Sequence, residues 1–192
     1  MIYRTLPLAH QKLSDEAELY LLEERHTQEL YQVTSLNRDH LRRWLPWVES
    51  TVTPWDTRAF IQRGIRQLTE NEGFNCGLWY QGRLVGVIGL HSLSLTHRFV
   101  SLGYWLARDA QGKGLMTLAA QALLDHAFYT LALNRLEIRC ATNNARSCAV
   151  AVRLGFTHEG VIRQAEWLYD HFVDHNIFSM LAPEWAAKSP RP

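Results

Sequence analysis

The segment DAQGKGLMTLAAQ, residues 109 to 121, sets Gly112, Lys113 and Gly114 immediately before an apolar run with helical spacing. Glycines at that position free the backbone to take unusual dihedrals and remove side chains that would hold a ligand away. The open N–H groups of a helix start, at the positive end of its dipole, then make a seat for phosphate oxygens. The same residues also suit an ordinary tight strand-to-helix turn, so the segment alone leaves both readings open. It is not the dinucleotide fingerprint, because GKG lacks the third glycine, and no G-x-x-x-x-G-K-S/T phosphate loop occurs in the chain.

Other clusters invite chemistry and give it less support. His171 and His175 alternate with Asp170 and Asp174 in imitation of a metal site, but in an extended strand residues four apart lie about 13 Å from each other. No metal is expected there. Cys140 and Cys148 fall on the apolar sides of their elements without well-defined His and Asn partners, which favours core packing over nucleophilic catalysis. Glu137, between Arg135 and Arg139 and opposite Leu136 and Ile138, reads as a structural ion pair. Trp44, Trp47 and Trp55 suit either core or a substrate groove, and Arg38, Arg42 and Arg43 suit either a solvated helix face or a patch that steers an acidic partner.

The elements that must position these residues are legible from periodicity. ELYLLEER (18–25) reads as a strand and HTQELYQVTSLNRDHLRRWL (26–45) as a helix or helical pieces. Thr53, Pro54 and Asp56 carry a cap, a first-turn proline and an acid at the third helical position, so a helix runs on through AFIQRGIRQLTE. FNCGLWYQ and RLVGVIGLHSL flank a Gln-Gly turn as a hairpin, and RFVSLGYWLA follows as a third strand. Behind the glycine loop, Leu115, Leu118, Ala119, Ala122 and Leu123 share one helical face. NRLEIRCAT (134–142) is a strand, NARSCAVAVRLG a helix closed by Gly155, and residues 156–182 a final hairpin. The strands flanking the glycine loop and its helix are then parallel neighbours joined by a right-handed crossover, which puts the loop at their carboxyl ends, where α/β sheets bind ligands.

A chain of 192 residues with 47% hydrophobic content suits a single domain, its core spanning about 18–182 and only the tail from about 186 to 192 poorly held. A net charge of +1 gives no broad basic field, so direct nucleic-acid binding is not expected. The longest apolar or glycine run, LVGVIGL, is far short of a membrane span, the N-terminus lacks a secretory segment, and three cysteines without C-x-x-C spacing read as reduced thiols. These features point to a cytoplasmic protein without membrane association.

The order of elements, the segment QGKGLM after SLGYWLA, and the later NNARSCAVAVRLGF resemble the GNAT acyltransferases, whose motif Q/R-x-x-G-x-G/A is matched by Gln111, Gly112, Lys113 and Gly114. Met116 departs from the pattern, since a small residue is commonest there, and this leaves less room beside the loop. LRRWLPW, GYWL, QGKGLMT, CATNNARSCAVAVRLGF, EGVIRQAEWL and DHNIFSM together look like the RimL/RimJ branch, which acetylates N-terminal amines of ribosomal proteins. The resemblance implies an α/β fold with a mixed seven-stranded central sheet, helices on both faces, and a splayed pair of parallel strands holding acetyl-CoA.

The resemblance further implies a division of labour. Residues 111 to 116, namely Gln111, Gly112, Lys113, Gly114, Leu115 and Met116, would hold the pyrophosphate. Gly103, Tyr104, Trp105 and Leu106 on one strand and Asn144 on the other side would bond the pantetheine arm, with an oxyanion donor near Trp105 or Leu106; Asn144 equally suits a helix cap. Ser147 matches the position that protonates the departing thiolate, and otherwise reads as a first-turn serine bonding Asn144. Glu166, in RQAEWLYD, matches the branch's carboxylate base, with an apolar setting expected to raise its pKa; otherwise it is a strand carboxylate paired with Arg163. The acceptor would be a protein N-terminus, such as that of an acidic ribosomal protein, or a small amine, amino acid or peptide antibiotic. A non-catalytic acyl-CoA-binding module is a further alternative, and a monomer and a homodimer stay equally open.

Overall fold

The computed structural model describes residues 8–188. Its centre is one sheet of eight strands in the order β1-β2-β3-β4-β5-β6-β8-β7, formed by β1 (His10–Lys12), β2 (Ala17–Leu21), β3 (Phe74–Tyr80), β4 (Arg83–Ser94), β5 (Phe99–Leu106), β6 (Arg135–Ala141), β7 (Thr157–Leu168) and β8 (His171–Leu181). Seven strands were expected. The eighth, β1, is three residues long and pairs with β2 from His10↔Tyr20 to Lys12↔Glu18. Its sequence HQK has no apolar alternation, so its pairing is held by β2 and not by a pattern of its own.

Helices α1 (Thr27–Leu36), α2 (Arg38–Leu41) and α3 (Pro54–Thr69) lie on one side, where Leu30 and Ile61 pack with Leu22, Trp79, Leu84 and Val87. Helices α4 (Leu115–Asp125) and α5 (Ala145–Leu154) pack into the larger core with Ile88, Leu90, Leu102, Leu136 and Ile138. At the start of α3 the Thr53 side chain accepts the Asp56 N–H while Asp56 accepts the Thr53 N–H, a reciprocal capping box with Pro54 at the first helical position. The predicted 26–45 helix is broken into α1 and α2 at Asn37, whose side chain donates to Val33 O and accepts the Arg108 N–H at 2.8 Å. The break is therefore fixed by a residue 71 positions away. Gln81 and Gly82, both at positive φ, form the tight turn between β3 and β4.

Two expectations need correction. On α4 the buried stripe runs along Leu115/Met116, Ala119/Ala120 and Leu123/Leu124, and Leu118 lies beside it at 38% exposure. Residues 186–188 of the expected tail continue α6 (Ala182–Lys188), which is docked ahead of them by buried Trp185, whose indole N–H donates to Asp125 at 2.8 Å, and Lys188 donates to the Gly155 carbonyl. The rest of that tail, 189–192, lies outside the described residues, as do 1–7.

Candidate active site

Strands β5 and β6 form the parallel pair, and their register covers only Phe99↔Arg135, Val100↔Leu136 and Ser101↔Glu137. Beyond Ser101, β5 stays paired with β4 as far as Leu106↔Gly86, while β6 stays paired with β8 as far as Ala141↔His175. The two strands therefore splay toward their carboxyl ends. The Ala107 N–H donates to Val85 O on β4 at 2.7 Å. By the two-residue alternation of strand groups, Trp105 and Gly103 also aim their backbone groups at β4, and Leu102, Tyr104 and Leu106 aim theirs into the splay.

The glycine loop closes one end of that opening. Gly112 and Gly114 have φ of +77° and +75°, and a Cβ built on either meets nothing within 4 Å. Gly114 is the N-cap of α4 and brings no capping side chain, so the N–H groups of Leu115, Met116 and Thr117 precede the first intrahelical bond, from Leu118 N–H to Gly114 O. Both the dihedrals and the open space suit a bound anion. Met116 turns into the core and takes no room beside the loop. Lys113 places its Nζ 4.9 Å from the centre of the Tyr80 ring. Gln111 braces the loop, contacting His40 Nε2 at 2.8 Å and accepting from Arg146 on α5. Burial holds the His40 imidazole below its ordinary pKa, against the opposing effect of a hydrogen bond to the Leu106 backbone, with Arg146, Arg108 and Arg43 adding to the lowering.

Across the splay, the Asn144 side chain accepts the Ser147 N–H at 3.2 Å and so caps α5. This leaves the Ser147 hydroxyl free of Asn144. It donates instead to the Tyr104 hydroxyl at 3.3 Å, while Tyr104 donates to the Ser147 carbonyl at 3.0 Å. Burial pushes the Tyr104 phenol above its ordinary pKa, so it remains protonated and able to donate.

Glu166 stands on β7 just after an irregularity in which residues 163–165 fall out of the ladder register with β8 and Gln164 takes a φ of +50°. The carboxylate of Asp174 accepts the Gln164 N–H there at 2.7 Å. Glu166 meets His175 Nε2 at 3.4 Å, and not Arg163; the side chains of Glu166 and His175 are 35% and 15% exposed. The apolar setting expected for this carboxylate is thus modified by a histidine ring and by partial exposure to solvent. His175 faces Ala141 in the β6–β8 register, which brings the Glu166 pair to the open end of β6. Next to it, Asp39, Arg42, Arg43 and Leu168 to His171 line an open cavity of about 420 Å³. The Tyr169 hydroxyl donates to Leu45 O at 2.7 Å, and Arg42 lies over the Tyr169 ring at 4.7 Å.

Glu137 is buried between Arg135 and Arg139 as an ion pair. Arg38 donates to the carbonyls of Val48 and Thr51, and Arg42 pairs with Glu49, so these two arginines shape the turn after α2 and are not an unpaired cationic face. Trp47 packs 6.2 Å from Trp105 at the end of β5, whereas Trp55 is exposed beneath Arg58. His171 pairs with Asp170 and His175 with Glu166. Among the described residues no cluster of three or more His, Cys, Asp or Glu could hold a metal ion.

Sequence reasoning missed three features. The Tyr104 hydroxyl meets a residue 43 positions away, which no local pattern announces. Arg146 and Arg153 of α5 reach the glycine loop and the first turn of α4, through Gln111 and through Thr117 at 3.4 Å. Their seven-residue spacing, two helical turns, was the available signal. His175 beside Glu166 could not be read across an irregular hairpin.

Residues 18–157 match the family model described as an acetyltransferase (GNAT) domain. The chain is 34% identical over 177 residues to the protein YdaF of Bacillus subtilis (strain 168), covering 91% of this chain and 96% of that one. It is 31% identical over 170 residues to the ribosomal-protein-serine acetyltransferase of Escherichia coli (strain K12), covering 88% and 95%. Among solved structures, the microcin C7 self-immunity acetyltransferase MccE, in complex with acetyl-CoA and AMP, superposes with a TM-score of 0.87 at 27% identity, covering 92% of this chain and 98% of that one. RimL, a ribosomal L7/L12 alpha-N-protein acetyltransferase seen with coenzyme A in disulfide linkage to one of its cysteines, superposes with a TM-score of 0.86 at 28% identity, covering 90% and 98%. With a matching model over most of its length, a splayed parallel pair and a glycine loop at the carboxyl ends of the strands, the chain belongs to the GNAT acetyltransferase family.

Proposed function

We propose that the protein transfers the acetyl group of acetyl-CoA to an N-terminal α-amine, with a ribosomal protein of the kind modified by the RimL/RimJ branch as the preferred acceptor class. The observation that carries this reading is the splay of β5 from β6, with the glycine loop at one end and the Glu166–His175 pair at the other. Gly112, Gly114 and the N–H groups of Leu115 and Met116 hold the pyrophosphate, with Gln111 bracing the loop and Lys113 adding charge. The backbone of Tyr104 and Leu106, with Gly103 and Trp105 setting the strand, bonds the pantetheine arm. Asn144 supports the opposite side through its cap of α5.

In the reaction a neutral amine attacks the thioester carbonyl, and the Leu106 N–H is the donor for the oxyanion. Glu166 accepts the amine proton, directly or through one water, and His175 keeps its carboxylate oriented. Collapse of the tetrahedral intermediate breaks the C–S bond. The thiolate is protonated by the Ser147 hydroxyl, whose position is set by Tyr104. The cavity between α2 and the β7–β8 turn receives the acceptor chain.

A second reading, acetylation of a peptide antibiotic or small amine, is favoured by the likeness to MccE, which equals the likeness to RimL in extent. Both readings share the cosubstrate and the base. Glu166→Gln keeps the shape and removes the basicity, so turnover is expected to fall roughly 100-fold or more, within the usual range for general-base catalysis. Acetyl-CoA affinity should stay within a factor of two, and raising the pH should partly restore the rate because more amine arrives neutral. Full activity of Glu166→Gln from pH 6 to 9 would remove the carboxylate from the mechanism.

A further inference from the structure

Cys140 and Cys148 belong to different elements, β6 and α5, yet their Sγ atoms lie 2.8 Å apart. A disulfide requires about 2.05 Å, so the two sulfurs need approach by only about 0.8 Å to bond. Their environments differ. Cys140 is buried at 5% exposure, and desolvation together with the neighbouring sulfur holds its thiol above the ordinary value. Cys148 is half-buried in the first turn of α5, accepts from Asn176 Nδ2 at 3.4 Å, and directs its own hydrogen to Ala141 O at 3.8 Å. One sulfur is therefore placed to meet a small oxidant and the other to be kept from it. The third cysteine, Cys76, sits on β3 with its thiol pushed up to about 12 by burial, and serves as an internal reference.

The position of the pair gives its oxidation a consequence. Cys148 directly follows Ser147, which is held by Tyr104, and Cys140 lies near the end of β6 where the splay opens. Drawing the first turn of α5 toward β6 moves Ser147 relative to Tyr104.

We propose that Cys140 and Cys148 form a reversible oxidation site: a hydroperoxide oxidises Cys148, Cys140 resolves the product, and the resulting disulfide displaces Ser147. In the first step the Cys148 thiolate attacks the terminal oxygen of the hydroperoxide, the O–O bond breaks, and the alkoxide or hydroxide leaves with a proton as alcohol or water. Cys148 is then a sulfenic acid. In the second step the Cys140 sulfur attacks the Cys148 sulfur, the S–O bond breaks, and the hydroxide departs with the Cys140 proton as water. Two thiols have lost two electrons, and one O–O bond has been reduced. Only the effect on turnover rests on the acetyltransferase reading; the thiol chemistry does not.

The test uses the full chain, freed of coenzyme A and reductant by gel filtration, with hydrogen peroxide as the oxidant. Trypsin cuts after Arg139, Arg146 and Arg153, so the disulfide joins the peptides 140–146 and 147–153. The expected result is a mass loss of 2 Da in that linked pair, with Cys76 still alkylated, and complete reversal by dithiothreitol. Turnover should fall at least threefold on oxidation and recover on reduction. Cys140→Ser should stop at a Cys148 sulfenic acid, trapped by dimedone, and Cys148→Ser should leave Cys140 unmodified. Wild-type protein that shows no linked peptides, or that carries only sulfinic or sulfonic acid at Cys148, would overturn the site. A disulfide that leaves turnover unchanged would overturn the link to Ser147, and absence of turnover in reduced protein would instead strike the acetyltransferase reading.

Discussion

Replacing Gly114 by valine separates two roles that one glycine can play. Its φ of +75° lies in the left-handed region, where a side chain costs about 1–2 kcal/mol, and a Cβ there meets nothing within 4 Å. The fold should therefore lose only the backbone strain. The space that the new side chain fills is the approach to the N–H groups of Leu115 and Met116, proposed to bond phosphate oxygens. A hydrogen bond to a charged group contributes about 1.5–3 kcal/mol. Losing two of them weakens coenzyme A binding by about 3–6 kcal/mol, or roughly a hundredfold and upward. Gly82→Val is the matched control, since Gly82 has a φ of +73°, an equally open Cβ position and a place in the β3–β4 turn. Thermal denaturation should show similar losses of stability in the two variants, and calorimetric titration with coenzyme A should show weakened binding only in Gly114→Val. Equal affinities of folded Gly114→Val and Gly82→Val would refute the assignment of the loop.

The arginines of α5 should act more weakly and through charge: Arg153→Ala, at an exposed position beside Thr117, should lower coenzyme A affinity roughly threefold, the scale of an exposed ion pair. The difference should vanish at high salt, which titrations at two ionic strengths would check. Glu159 predicts an acid limb in stability, because Arg135 and then Ser179 hold its carboxyl down to about 2 from an ordinary value of 4.5. A lowered carboxyl pKa stabilises the fold above pH 4.5, and that contribution is lost as the pH falls from 4.5 toward 2. With 37% of the Glu159 side chain exposed, solvent screening limits the contribution to about 1 kcal/mol, so urea denaturation should show Glu159→Gln less stable by that amount at pH 7 and equal to wild type near pH 2.

What could be read in the sequence was what local chemistry fixes. Thr53, Pro54 and Asp56 announce the start of α3, Gly155 ends α5 in the left-handed conformation, and Gln81-Gly82 sets a hairpin turn. The parallel relation of β5 and β6 follows from the helix between them, and with it the place of the glycine loop. What could not be read depends on partners distant in the chain. Asn37 breaks a continuous helical pattern because the Arg108 amide requires its side chain. Leu118 has a core residue's chemistry and a helical spacing that suits the core, but the stripe that packs lies to one side of it. Around the candidate site, spacing placed Ser147 and Glu166 on their elements; the Tyr104 hydroxyl, His175 and the sulfur pair became apparent only when strands and helices met.

Acetyl transfer to an α-amine is decided by a peptide that carries both a free N-terminus and an internal lysine. An α-amine of pKa about 8 costs about 1.4 kcal/mol to deprotonate at pH 7, and a lysine amine of pKa about 10.4 costs about 4.6 kcal/mol. Incubated with acetyl-CoA, the protein should release free coenzyme A and place the acetyl group on the peptide N-terminus, located by fragmentation mass spectrometry, with the lysine acetylated more slowly. Faster acetylation of the lysine, or no transfer from acetyl-CoA to any amine in a panel of such peptides, would contradict the account.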